Sequence, residues 1–237
     1  MEKDLSFIEH LEELRKRIIY VISFFLICLI FSYFFSDKIL LYIINPLKKY
    51  QQQPVFIKPV EPFISILKIC AFTGSIFTMP FFLIQVYLFI SPGLTEKEKK
   101  IAKTLFIFFP FLFLLGLSFA FYIIIPFGLR VLFSFGKGII KPFISINSYL
   151  NFLFIFLIAM GFIFNLPVFI SSLASIGLVK SKFLKEKRKF AILGSFILSA
   201  LITPTTDIFT QTFVAIPLIF LYEISIFLSK FFETSSS

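Results

Sequence analysis

Charge is what this chain most lacks. Of its 237 residues 15% are charged and 58% are hydrophobic, whereas soluble domains carry near 25% charged residues. Six stretches hold no Asp, Glu, Lys or Arg: between Arg17 and Asp37, Lys68 and Glu96, Lys103 and Arg130, Lys141 and Lys180, Lys189 and Asp207, and Asp207 and Glu223. Histidine is nearly absent too. The one residue, His10, precedes the first apolar run, which excludes an intramembrane serine protease working through a histidine base. An aspartyl protease within the bilayer needs two aspartates there, and Asp207 stands nearly alone at a turn. There is no GxxxxGK[ST] loop, HExxH or CxxC, so neither nucleotide hydrolysis nor metal catalysis is indicated. The two cysteines, Cys28 and Cys70, lie in or beside apolar runs and read as small buried hydrophobes. A non-enzymatic protein with no cofactor and no metal is the expectation.

What is present is membrane-spanning sequence. A helix crossing about 30 Å of hydrocarbon needs roughly 20 mostly apolar residues, and in lipid the backbone must satisfy its own hydrogen bonds, which dictates helix. The expected architecture is all-α: one membrane domain over residues 1–237 with six spans, about 18–36, 69–91, 104–129, 149–172, 190–206 and 208–223. The last two charge-free runs, 17 and 15 residues, are short for a bilayer. The net charge of +10 sits in short loops, where it orients spans and meets anionic headgroups rather than nucleic acid. Fifteen Lys and Arg fall on the side of the two termini and eight on the other, so both termini are expected in the cytoplasm. No cleavable signal peptide is expected, because the acidic N-terminal residues lead into a retained first span.

Residues 4–17 read as an amphipathic helix, with Ile8, Leu11, Leu14 and Ile18 at helical spacing and Ser6 to Glu9 as a capping box. The first outer loop, Asp37 to Lys68, reads as a short amphipathic cap ending at Pro62 in the first turn of span two. Pro80, Pro110, Pro126, Pro167, Pro204 and Pro217 fall in or at the ends of spans, where they bend helices and favour a concave bundle.

Two polar patterns stand out. Glu9, Glu12, Glu13, Glu96 and Glu98 form acidic clusters on the face where basic residues otherwise dominate. Local pairing of Glu12 with Lys16 and Glu13 with Arg17 explains single residues, while two clusters beside membrane entries suit a cationic partner. Gln85, Asn165 and Gln211 are polar within apolar spans, as helix-to-helix bonds or as a polar path.

Residues 10–17, His-Leu-Glu-Glu-Leu-Arg-Lys-Arg, resemble the opening of the TatC family, the multispan receptor of the twin-arginine protein translocase. Similar family motifs follow in order: Asn45-Pro46-Leu47, Glu61-Pro62-Phe63, the run from Gln85 to Leu94 with Glu96 and Glu98, Asn165-Leu166-Pro167, Leu201 to Pro204, Asp207 to Thr212, and Ala215-Ile216-Pro217. The resemblance implies six spans in a bacterial cytoplasmic membrane, both termini inside, and transport of folded proteins driven by proton-motive force. It implies binding of twin-arginine signal peptides, assembly with small single-span subunits of the TatA and TatB type, and homo-oligomers within the complex. Carried over by motif, Glu13 and Glu98 match the acidic positions of arginine recognition, with Glu9, Glu12, Glu96 and Phe89 beside them. Asn165, Gln211, Gln85 and Asp207 form a polar membrane group for partners, and Pro46 and Phe63 fall on outer-loop positions. Asn165 stands where the family commonly has glutamate, which removes a titratable group but keeps an acceptor and adds donors. The turn at 204–207 is one residue longer than in relatives. A secondary transporter for a small solute is the rival, disfavoured because the two three-span halves show no repeat.

Overall fold

The computed structural model describes residues 7–50, 54–134, 143–203 and 208–234. Among these the chain is helical almost throughout, with one isolated bridge and no named strand. In chain order the helices are α1 (Phe7–Phe34), α2 (Ser36–Ile43), α3 (Asn45–Lys48), α4 (Glu61–Ile90), α5 (Glu96–Phe119), α6 (Ile125–Ser134), α7 (Ile146–Ile163), α8 (Leu166–Ser175), α9 (Ser181–Glu186), α10 (Arg188–Ile202) and α11 (Ile208–Thr234). Five segments are long and apolar enough to cross a membrane: Glu9–Phe34, Glu61–Gly93, Glu98–Ser134, Ile146–Ser175 and Ile208–Lys230. The sixth, α10, has 15 residues, about 22 Å at 1.5 Å per residue.

The chain divides into two compact units, Met1–Asn45 with Phe56–Phe106, and Pro46–Val55 with Ile107–Ser237. In the first, α1 and α4 pack side by side. Gly74 makes this possible: a Cβ there would lie 3.2 Å from the Leu29 backbone nitrogen. Phe24 meets Phe81 at 4.6 Å, and Ile69 and Cys70 are fully buried. The other faces of α1 expose Ile19, Ile22, Leu26, Ile27 and Ile30, as suits a helix solvated by lipid. The amphipathic segment expected at 4–17 and span one are one helix without a break, because no proline or glycine interrupts the run from Phe7 to Phe34. Ser6 of the expected capping box lies outside the described residues.

The core of the second unit is α7, whose Leu150, Leu153, Phe156 and Met160 are all but fully buried. α5 touches it backbone to backbone. A Cβ on Gly116 would collide with the Met160 carbonyl oxygen, and one on Gly161 would come within 2.5 Å of the Phe113 ring. Without a hydrophobic drive between helices in lipid, such small-residue approaches and the van der Waals contact they permit hold the bundle. Two segments of this unit far apart in sequence are tied together: Val55 N–H donates to Ile144 O and Ile146 N–H to Val55 O, each at 2.9 Å.

The prolines act differently by position. Pro80, Pro110 and Pro217 sit inside helices that continue past them. Pro126 follows a π turn, Ala120–Ile124, which joins α5 to α6. Pro167 divides span four, expected as a continuous 149–172, into α7 and α8, since it cannot donate to Ile163 O where α7 ends. α8 closes on Gly177, whose φ of +85° places its N–H on Ala174 O and the Leu178 N–H on Leu173 O, a glycine-dependent end.

The final helix outlasts its charge-free run. The charge pattern predicts an end to span six at Glu223, yet α11 has 27 residues and continues to Thr234. Glu223 Oε2 accepts from Arg188 Nη2 at 2.6 Å, so the carboxylate has a partner and need not mark the end of the helix. Tyr222 adds a hydrogen bond to Leu184 O at 2.8 Å, fixing α9 against α11.

Candidate functional site

The densest polar constellation of the first unit lies at the N-terminal end of α1 against the C-terminal half of α4. Helical spacing puts Glu13 and Arg17 on one face, and the pair forms. Arg17 Nε donates to Glu13 Oε1 at 2.9 Å, and Nη2 donates to the same oxygen. The third donor, Nη1, crosses to α4 and reaches Gln85 Oε1 at 3.0 Å. One turn away on each helix, His10 stacks on Phe89 with ring centroids 4.3 Å apart. Among the described residues no donor reaches the second Glu13 oxygen, Oε2. Glu9 and Glu12 are exposed on the same helix.

Glu98 is held by a different device. Thr95 precedes α5 as its cap and Glu98 reaches back: Oε2 accepts from the Thr95 N–H at 2.8 Å and from Thr95 Oγ1 at 2.8 Å. The Glu98 N–H in turn points to Thr95 Oγ1 at 3.4 Å, completing a capping box. Oε1 accepts from no donor among the described residues, and the residue is half-buried. Glu96 pairs with Lys99 at 2.9 Å.

Each carboxylate therefore has one oxygen held by the protein and one without a donor. A held carboxylate loses less rotamer freedom when a cation arrives. Sequence reasoning missed the box at Thr95, although Thr-Glu-Lys-Glu carries the same spacing as Ser6 to Glu9. It paired Glu13 with Arg17 but did not place His10 in the constellation. Nothing in one sequence shows that residues 17 and 85 meet.

Gln85, grouped from sequence with Asn165 and Gln211, belongs instead with Glu13 and Arg17 in the first unit. Asn165 and Gln211 belong to the second. Asn165 caps α8 at the break in span four and is 4% exposed. Its Nδ2 donates to Gly161 O at 2.8 Å, while Oδ1 has no partner among the described residues. Gln211 is half-buried on α11, which packs along α8. Asp207 lies outside the described residues. Of the outer-loop positions, Pro46 is buried in α3 and Phe63 is exposed on α4. Beside Phe63, Glu61 is buried and accepts from the Ile57 N–H at 2.9 Å. Within the second unit, Tyr50 donates to Pro126 O at 3.1 Å.

A family model described as TatC, Sec-independent protein translocase protein, matches residues 9–217. Proteins described as Sec-independent protein translocase protein TatC are similar from end to end. That of Carboxydothermus hydrogenoformans is 37% identical over 232 residues, 98% of this chain and 96% of its own. That of Rickettsia prowazekii is 38% identical over 237 residues, 97% of this chain and 94% of its own. A crystal structure of the twin-arginine translocase receptor TatC superposes with a TM-score of 0.78 at 35% identity, covering 94% of this chain and 99% of that one.

Proposed function

The chain belongs to the TatC family of Sec-independent protein translocase proteins, and on that premise we propose that it is the receptor of a twin-arginine translocase, binding the paired arginines of signal peptides. It is a multi-pass membrane protein and a component of a protein-transport system. The observation that carries the receptor reading is the matched state of Glu13 and Glu98, each oriented by one oxygen and open at the other. A guanidinium is a planar fork of donors that suits carboxylate oxygens, whereas an ammonium is a compact, strongly hydrated point charge. Hydrogen bonds to charged groups contribute about 1.5 to 3 kcal/mol each, enough for two arginines on two carboxylates to select a signal.

Glu9, Glu12 and Glu96 add negative potential around the two anchors. Phe89, already under an aromatic ring, gives a flat surface for the residues beside the arginines. Partner assembly falls to the second unit, where half-buried Gln211 offers a polar group to a small single-span subunit. The basic loops favour a cytoplasmic position for both termini and rest on anionic lipid. Transport of folded cargo draws on proton-motive force, within a complex that holds more than one copy of this chain. A small-solute transporter has no observation in its favour.

The test is peptide binding to the purified protein in nanodiscs. Glu13→Ala and Glu98→Ala should each weaken a twin-arginine peptide about tenfold or more, the equivalent of one charge-assisted bond, without loss of membrane insertion. Wild-type affinity in both variants and in the double variant would overturn the assignment.

A further inference from the structure

We infer that Arg17 is an internal occupant of the recognition carboxylate, a guanidinium supplied by the chain itself that an incoming arginine must displace. The inference rests on the reading of Glu13 as an arginine acceptor. Its observation is independent of that reading: Arg17 spends all three donor nitrogens at this site, two on Glu13 Oε1 and one on Gln85 Oε1. The pair is mostly shielded, with side-chain exposures of 19% for Arg17 and 27% for Glu13. An i,i+4 pair on an open helix surface adds little to stability. This one is braced from α4 by Gln85, so it is not free to exchange with water as an open pair would be.

The geometry gives the displacement a sequence. An arriving guanidinium can use Oε2 of Glu13 at once, because no donor among the described residues holds it. A bidentate seat needs both oxygens, and Oε1 accepts two bonds from Arg17 already. Full engagement therefore requires Arg17 to let go of Oε1. Gln85 keeps hold of Nη1 while it does so, or releases it and turns its amide toward the newcomer. An ammonium on Oε2 likewise meets a carboxylate that Arg17 already neutralises, so resting affinity is lowered for either cation until Arg17 leaves. The cost of vacating is a property of the receptor alone, so it lowers the affinity of every competing cation by one common factor. Arg17 sets a threshold. The ratio between arginine and lysine is set elsewhere, by the fork geometry.

That common factor distinguishes an occupant from a scaffold. Binding of a twin-arginine peptide and of its twin-lysine counterpart is measured on wild type, Arg17→Gln and Arg17→Lys, in nanodiscs. Arg17→Gln should tighten both peptides by the same factor, about tenfold, the worth of one charge-assisted bond released. Arg17→Lys keeps the charge but lacks the fork, and should tighten both by a smaller, again equal, factor. If long-range charge alone mattered, Arg17→Lys would behave as wild type, and that result would overturn the inference. Weaker or unchanged binding by Arg17→Gln, with its thermal midpoint preserved, would also overturn it and make Arg17 a scaffold for Glu13. In a Glu13→Ala background, Arg17→Gln should have no further effect, and a persisting gain would route the effect away from this carboxylate. Should Glu13→Ala and Glu98→Ala bind as wild type, the receptor reading itself falls, an outcome separate from any result at Arg17.

Discussion

Single atoms decide where the helices of this protein touch. At Gly116 the space for a side chain is already filled by the Met160 carbonyl, part of the rigid backbone of α7, whereas at Gly194 of α10 a Cβ would meet nothing within 4 Å. The two glycines look alike in sequence and should respond oppositely to the same change. Gly116→Ala must push α5 off α7 and is expected to lower stability by about 1–3 kcal/mol. Gly194→Ala fills open space in a helix interior and should be neutral or stabilising by up to about 1 kcal/mol. Thermal midpoints in detergent, measured side by side, check both. The same scale explains why the proposed recognition residues are partly legible in the sequence. Glu13 with Arg17, and Thr95 with Glu98, are local pairs fixed by helical geometry three or four residues apart. Gln85 and Phe89 are not local to α1, and their place beside Arg17 and His10 depends on how two helices pack.

At the scale of elements, span four is where sequence and structure part. An unbroken apolar run reads as one helix, but Pro167 and the carbonyl it strands make it two, with Asn165 at the joint. Asn165 is enclosed there and spends its amide on the preceding turn, while Gln211 is half-buried on α11. Their substitutions should therefore separate. Gln211→Leu is expected to reduce co-purification of the small single-span subunit several-fold with little change in thermal midpoint. Asn165→Leu should instead shift stability, because it removes both a hydrogen bond and a buried oxygen without a partner. Equal loss of the subunit in the two variants would assign docking to the joint itself. The extent of α11 is similarly hidden. A carboxylate ends an apolar run on paper, and only the Arg188 partner, 35 positions away, shows why the helix continues.

For the molecule as a whole, the number of apolar segments and their helical state follow from composition alone, since lipid leaves the backbone no alternative. The side of the membrane proposed for them rests on the distribution of basic residues, and it is open to direct measurement. A cysteine introduced at Gln52 should be labelled by an impermeant reagent from the outer face, and one at Lys185 from the cytoplasmic face only. Reaction of both from the same face would remove the proposed topology. Packing between segments is not legible in the same way: the division into two units, the Val55 tie to Ile144 and Ile146, and the glycine contact of α5 with α7 all join residues far apart in sequence. Apolar composition is satisfied equally by many pairings, and the small residues that choose among them are few.

The continuity of α1 makes it a lever. From Phe34 to Glu13 the helix runs unbroken over roughly 21 residues, about 31 Å at 1.5 Å per residue. Pivoting about the Phe34 end by about 5° would carry the Glu13 carboxylate nearly 3 Å, about the length of a hydrogen bond. Spans adjust their tilt to the thickness of the hydrocarbon around them. On the proposed receptor role, acyl-chain length would reach the Glu13 carboxylate through the tilt of α1, and affinity for an arginine peptide should change with bilayer thickness.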